Sequence, residues 1–126
     1  MLFRSYHFPE KLDEEKMNEG IKYLIGEHDF KSFKASGTSS KSSVRIIYKA
    51  EVIEAENERI YIELTGNGFL YNMVRIIAGT LVDVGIGKIE PCDVKEILEA
   101  KDRLRAGKTL PPTGLYLVNV EYGKSK

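Results

Sequence analysis

Between Phe69 and Gly85 the only charged residues are Arg75 and Asp83. At 3.6 residues per turn, Leu70, Met73, Ile77, Leu81 and Val84 of this run fall on one stripe, with Val74 and Ile76 at its edges. That stripe must face a core, so the rest of the chain is built around it. Arg75 points the opposite way, among Tyr71, Asn72, Ala78, Gly79 and Val82. On an ordinary surface helix this outer face would be Lys and Glu. Here it is apolar or small with one cation, and Gly79 lets another backbone or a ligand approach closely. A guanidinium cannot be neutralised, so a carboxylate, a phosphate or water must meet Arg75. On the residues alone two readings stay open: an exposed arginine beside a few harmless apolar residues, or a face covered by a ligand or partner.

At 126 residues, one domain spanning 1–126 with one core is the expectation. No apolar run reaches the ~18–20 residues of a membrane span, and the start Met1-Leu2-Phe3-Arg4 lacks the pattern of a secretory signal. A single cysteine, Cys92, excludes an internal disulfide and fits a reducing, cytoplasmic setting. It reads as a small residue near a helix start rather than as a nucleophile. His7 and His28 have no companion Cys or ligand-spaced His, so a structural metal is not expected.

The net charge is zero, which argues against gross electrostatic binding of nucleic acid by the whole chain. The distribution is uneven. From Phe30 to Ala50 there are five bases, Lys31, Lys34, Lys41, Arg45 and Lys49, and no acid. Such a segment is either a solvated loop or a local phosphate contact.

Along the chain, Leu2–Phe8 alternates weakly as a short strand before Pro9. A helix over about Leu12–Ile25 follows, with Asp13, Glu14 and Glu15 in its first turn, apolar Met17, Ile21, Leu24 and Ile25, and Gly26 past its end. His28–Phe33 reads as a turn with Phe30 and Phe33 packed inward, and Ala35–Ser43 as a polar loop. Val44, Ile46, Tyr48, Ala50 and Val52 alternate with polar residues, and Ile60, Ile62 and Leu64 do the same, which predicts a hairpin. The arginine helix ends near Gly85 and Gly87. A short helix runs from about Cys92 or Asp93 to Lys101, and a last strand covers Leu115–Tyr122. The order β-α-β-β-α-(α)-β predicts an α+β, ferredoxin-like fold, an antiparallel sheet with helices on one face.

Gly66-Asn67-Gly68 lies where a dinucleotide fingerprint would, but Tyr71 replaces the third glycine and the motif fails. The glycines make the turn, with Asn67 or Gly68 near the helix N-cap. An RRM would need aromatic stacking residues on its third strand, and Ile60–Thr65 does not supply that run. Asp29, Asp83 and Asp102 are the acids with a claim on Arg75, and Lys101-Asp102-Arg103 reads as a surface network at a helix end.

The run Gly66–Leu81 closely resembles the signature of the tRNA pseudouridine synthase A family. Leu12-Asp13 with Met17-Asn18, Gly26–Phe30 with Ser32-Phe33, Ala100–Arg103, and Gly114–Val118 agree with it in order and spacing. The resemblance is to the C-terminal half of that family. Its nucleophilic aspartate belongs to an Arg-Thr-Asp motif in the other half, and no aspartate here follows Arg-Thr. The resemblance implies an isomerase that converts uridine to pseudouridine in tRNA, without metal or cofactor, in a cleft between the two halves. It gives Arg75 the role of pairing with the absent aspartate. It makes Leu115 an apolar contact to the uracil ring, Tyr71 a second substrate-binding candidate, and Lys31, Lys34, Lys41 and Arg45 candidates for the tRNA backbone. This chain alone should then be inactive, with tRNA, the missing half and a possible second copy as partners. The rival expectation is a stand-alone, non-catalytic RNA- or protein-binding module, and the coding region immediately upstream discriminates the two.

Overall fold

The computed structural model describes residues 12–34, 42–54, 60–70, 72–109 and 116–120. The strand expected over Leu2–Phe8, and the residues Lys41, Tyr71 and Leu115, lie outside them. Helix α1 spans Glu14–Ile21. Asp13 caps it, its Oδ1 accepting the Lys16 amide at 3.2 Å, and Glu14 and Glu15 complement the N-terminal dipole. The helix expected to run on to Ile25 tightens instead into a 3₁₀ turn over Lys22–Leu24 and stops at Gly26, whose φ of 110° is open to glycine. Ile25, expected inside, is exposed.

Gly26–Asp29 then forms strand β1, where only a turn was expected. Gly-Glu-His-Asp has no alternation of its own; antiparallel pairing with β2 (Val44–Glu54) gives it strand geometry, with His28 opposite Arg45. A 3₁₀ turn over Lys31–Phe33 buries Phe30 and Phe33, as expected.

Strand β3 (Ile60–Gly66) pairs antiparallel with β2, matching Val52 to Ile62 and Ala50 to Leu64. The register slips between Ile47 and Lys49. One extra residue exchanges the two faces of a strand. The single inward face expected for Val44, Ile46, Tyr48, Ala50 and Val52 is therefore divided. Ile47, Ala50 and Val52 enter the core, while Val44 and Tyr48 remain 40% and 41% exposed. The slip is where Gly66 is needed, because a Cβ there would lie 2.7 Å from the Ile46 carbonyl oxygen. Asn67 completes the ladder, donating its amide to Ile46 O at 3.0 Å and accepting the Ile46 amide on Oδ1 at 2.9 Å.

Helix α2 covers Met73–Gly85 and α3 covers Asp93–Ala100. A third 3₁₀ turn over Arg103–Arg105 precedes strand β4, Tyr116–Val120. Among the described residues the sheet order is β1-β2-β3-β4. β4 lies parallel to β3, with Leu64 opposite Val118, so this α+β sheet is mixed rather than wholly antiparallel. A parallel neighbour requires a crossover, and α2 and α3 supply it.

The core holds Met17, Ile21, Leu24, Phe33, Ile47 and Leu64 together with the predicted stripe of α2: Leu70, Met73, Ile77, Leu81 and Val84 are all buried. Each fully buried aliphatic side chain of this kind contributes about 1.5–3 kcal/mol. α1 packs on both β2 and α2. Asn18 ties it to the sheet: its Nδ2 donates to Val52 O at 2.6 Å and its Oδ1 accepts the Val52 amide at 2.7 Å. The pairing of β1 with β2 ends at Ile47, so one side-chain amide takes over the backbone groups of β2 beyond it.

Candidate functional site

α2 begins later than the Gly66-Asn67-Gly68 turn suggested. Its N-cap is Asn72, a non-glycine residue at φ 59°, ψ 10°. Left-handed geometry costs most residues about 1–2 kcal/mol, and asparagine is among those that tolerate it best. The Asn72 side chain makes no cap bond. Its Oδ1 instead accepts from Arg75 Nη1 at 3.0 Å, one turn further along. Arg75 is half-buried.

Two of the three acids considered for Arg75 accept backbone amides. Asp29 Oδ1 accepts the Lys31 amide at 3.1 Å, and Asp102 Oδ1 accepts the Leu104 amide at 3.1 Å. Asp83 is two helical turns from Arg75, roughly 12 Å along the axis at 1.5 Å per residue. Lys49 and Glu63 form a salt bridge on the sheet at 3.5 Å.

One turn beyond Arg75 the outer face of α2 is covered by its own chain. Ala78, Gly79 and Thr80 are buried. The backbone at Gly107-Lys108 crosses directly over Gly79, and a Cβ on Gly79 would run into the Lys108 carbonyl oxygen. The contact is reciprocal, since a Cβ on Gly107 would stand 2.8 Å from the Gly79 carbonyl carbon. The Gly107 amide donates to Thr80 Oγ1 at 2.8 Å, while that hydroxyl donates to Ile76 O at 3.0 Å. The close approach that Gly79 permits is therefore used by backbone. On the outer face, Ala78, Gly79 and Thr80 are thus covered from within the chain.

The expected basic segment is divided between two places. Arg45 donates from Nη1 to Ser42 O at 3.0 Å and to Val44 O at 2.8 Å, and its Nε lies 3.6 Å from where a Cβ on Gly68 would be. It thus flanks the loop leading into α2. Lys31 and Lys34 stand instead beside the Arg103–Arg105 turn, against which the Lys31–Phe33 turn packs. Sequence reasoning missed the importance of Ser32 in that junction. Its buried hydroxyl donates to Ile97 O at 2.6 Å and accepts the Asp102 amide at 2.8 Å. Arg103, read as part of a surface network, donates to Gly107 O at 2.9 Å and Thr109 Oγ1 at 3.2 Å. The pattern Ala-Lys-Asp-Arg carried a signal, but its meaning depends on partners distant in sequence.

A cavity of about 190 Å³ lies between β1 and α3, lined by Tyr23, His28, Asp29, Lys95, Leu98, Glu99 and Lys101. Its lining mixes both charges and includes no residue of α2. The His28 Nε2 is already 2.9 Å from Ile25 O. Among the described residues no group of three or more His, Cys, Asp or Glu side chains is placed to hold a metal, and no helix is long and apolar enough to cross a membrane.

A family model described as tRNA pseudouridine synthase matches residues 21–123. The tRNA pseudouridine synthase A of Caldicellulosiruptor bescii is 53% identical over 118 residues, covering 94% of this chain and 48% of that protein. The protein of the same name from Bacillus subtilis is 54% identical over 118 residues, covering 94% and 47%. That from Acetivibrio thermocellus is 50% identical over 119 residues. The chain spans about half the length of the curated relatives it matches.

Proposed function

Because this chain belongs to the tRNA pseudouridine synthase family, we propose that it acts as the C-terminal half of an enzyme isomerising uridine to pseudouridine in tRNA. In this reading a uridine flipped from the RNA enters a cleft between this domain and an N-terminal half. An aspartate of that half attacks the nucleoside, the base detaches, turns and rejoins through its carbon 5. The bond from N1 to the sugar is exchanged for one from carbon 5, and the proton lost at carbon 5 is matched by one gained at N1, so the reaction is an isomerisation that balances without oxidant, metal or cofactor.

Arg75 is the residue we assign to the reaction, holding that aspartate ionised and oriented. The observation that carries this is its placement: a half-buried guanidinium on the first turn of α2, steered by Asn72 Oδ1, in the segment that bears the family resemblance. Leu115 and Tyr71 are assigned to the uracil ring. Lys31, Lys34, Lys41 and Arg45 are assigned to tRNA phosphates, the kind of contact that holds an RNA by shape while a base is extracted. Two copies per assembly, and the cytoplasm as the compartment, complete the proposal.

The test is complementation. This chain is mixed with the N-terminal half of the Caldicellulosiruptor bescii relative and assayed for pseudouridine in a tRNA transcript. The mixture should be active and either part alone inactive. Arg75→Ala should lower the rate by roughly 10²-fold or more, the scale seen when a preorganised charge partner is removed from a site. Full activity of the Ala variant, or activity of this chain alone, overturns the proposal.

A further inference from the structure

Leu104 is 90% exposed, far more than any other large apolar residue described, yet it sits on one of the most heavily tied turns of the molecule. Asp102 Oδ1 caps its amide. Ser32 Oγ anchors the Asp102 amide, and Arg103 clamps the following backbone at Gly107 and Thr109. Gly107 is in turn fastened to Thr80 of α2. Four separate attachments hold a short turn whose outward side chains are Leu104, Arg105 and Lys108, all exposed. A turn serving only as a connection would need neither the exposed leucine nor the anchors.

On the turn itself cations outnumber acids, with Asp102 within it and Glu99 just before it. Lys101, Arg105 and Lys108 are exposed on this segment, and the packing of the two 3₁₀ turns brings Lys31 and Lys34 alongside from the other end of the chain. The nearby carboxylates of Asp29 and Asp102 are each occupied with a backbone amide. A neutral chain therefore concentrates a cationic surface at one junction, with an apolar tip at its centre.

We propose that the rigid 101–108 turn is a second tRNA contact, separate from the Arg75 end of α2, in which Lys101, Arg105 and Lys108 meet phosphates and Leu104 packs on a sugar or base between them. It rests on the tRNA reading above. Charge complementarity selects RNA: Lys101, Arg105 and Lys108 outnumber Asp102, the one acid among them, which suits a phosphate backbone, and an apolar tip gives that backbone a non-ionic hold. Arg103 is excluded from the contact because its guanidinium is already committed to the loop.

The experiment measures binding of this chain to a fluorescent tRNA transcript between roughly 50 and 200 mM KCl, the range over which phosphate contacts show in the salt slope. Substituting Lys101→Gln, Arg105→Gln and Lys108→Gln together should weaken binding at least about tenfold and flatten the slope by about 2–3 log units per log unit of salt. Leu104→Ser should weaken binding several-fold with the slope unchanged, and Lys88→Gln, beyond α2, should change neither. All five positions are exposed, so circular dichroism and melting should match the parent chain. The proposal is overturned if the triple variant keeps the parent affinity and slope. It is also overturned if Leu104→Ser changes only the mass seen by light scattering, which would make the tip a contact between copies or with another protein. Either result, with Arg75→Ala still abolishing isomerisation in the complemented enzyme, leaves the enzymatic reading intact. A parent chain that binds no tRNA at any salt overturns the contact, whereas an inactive complemented mixture speaks against the enzymatic reading alone.

Discussion

Along the outer face of α2, the stretch around Gly79 is sealed by the chain's own backbone, while the turn before it presents a half-buried arginine. Both lie on one helix and neither is typical of a solvated surface. At Gly79 the absence of a side chain lets a second segment come within contact of the helix backbone, and glycine is needed on both sides of the crossing. At Arg75 a side chain is instead steered by a neighbour that accepts an unfavourable backbone conformation. The helix thus separates a part that is finished by folding from the part to which the proposed function assigns a negative partner.

The largest expected effect separates these two ends by function. Arg75→Ala should remove roughly 10²-fold or more of the isomerisation rate in the complemented enzyme and yet cost only about 1–2 kcal/mol of stability, the scale of one or two hydrogen bonds. An equal fall in melting temperature and in activity would mean that the residue is structural. Gly79→Ala reverses the pattern. On an uncovered helix this change would stabilise by about 1 kcal/mol through helix propensity. Against the Lys108 carbonyl it should destabilise by about 3 kcal/mol, because neither backbone can give way cheaply. The sign alone, read from a urea titration, decides whether the crossing exists.

Ser32→Ala tests what holds the crossing segment from its other side. It leaves the Ile97 carbonyl and the Asp102 amide without their shared partner and should cost about 1–3 kcal/mol. Hydrogen exchange should quicken first over 101–109. The smallest effect is expected from Asn72→Gly. Glycine relieves the left-handed strain by about 1 kcal/mol and gives up a hydrogen bond of similar size, so stability should stay nearly level. Isomerisation should still fall several-fold, because the guanidinium loses its guide. Unchanged activity would show that Asn72 serves the backbone alone.

What could be read beforehand followed the reach of each physical signal. The core stripe of α2, the inward Phe30 and Phe33 and the β2–β3 hairpin all express a period or a contact within a few residues, and all appear in the structure. Strand β1 did not, because Gly-Glu-His-Asp is extended only by virtue of its pairing with β2. The face exchange in β2 was hidden for a related reason. Its cause is the fit between Gly66 and the Ile46 carbonyl, and neither residue announces the other. At the candidate site, the singular position of Arg75 was legible from charge spacing, whereas its bond to Asn72 depended on a backbone angle that no composition encodes. The basic residues were visible as a run, but folding assigns Arg45 to the loop before α2 and Lys31 and Lys34 to the 103–105 turn. Tyr71, Leu115 and Lys41 fall outside the described residues.

The parallel placement of β4 on β3 carries a consequence for biogenesis. Tyr116 reaches Ile62 only after both α2 and α3 have been synthesised and folded back, so this pairing closes the longest loop of the sheet and should form last. Until then one margin of β3 offers unpaired amides and carbonyls to any passing strand, a known route to aggregation. A chain cut short before Tyr116 should keep its hairpin and helices yet precipitate during expression, because β4 is what guards that margin.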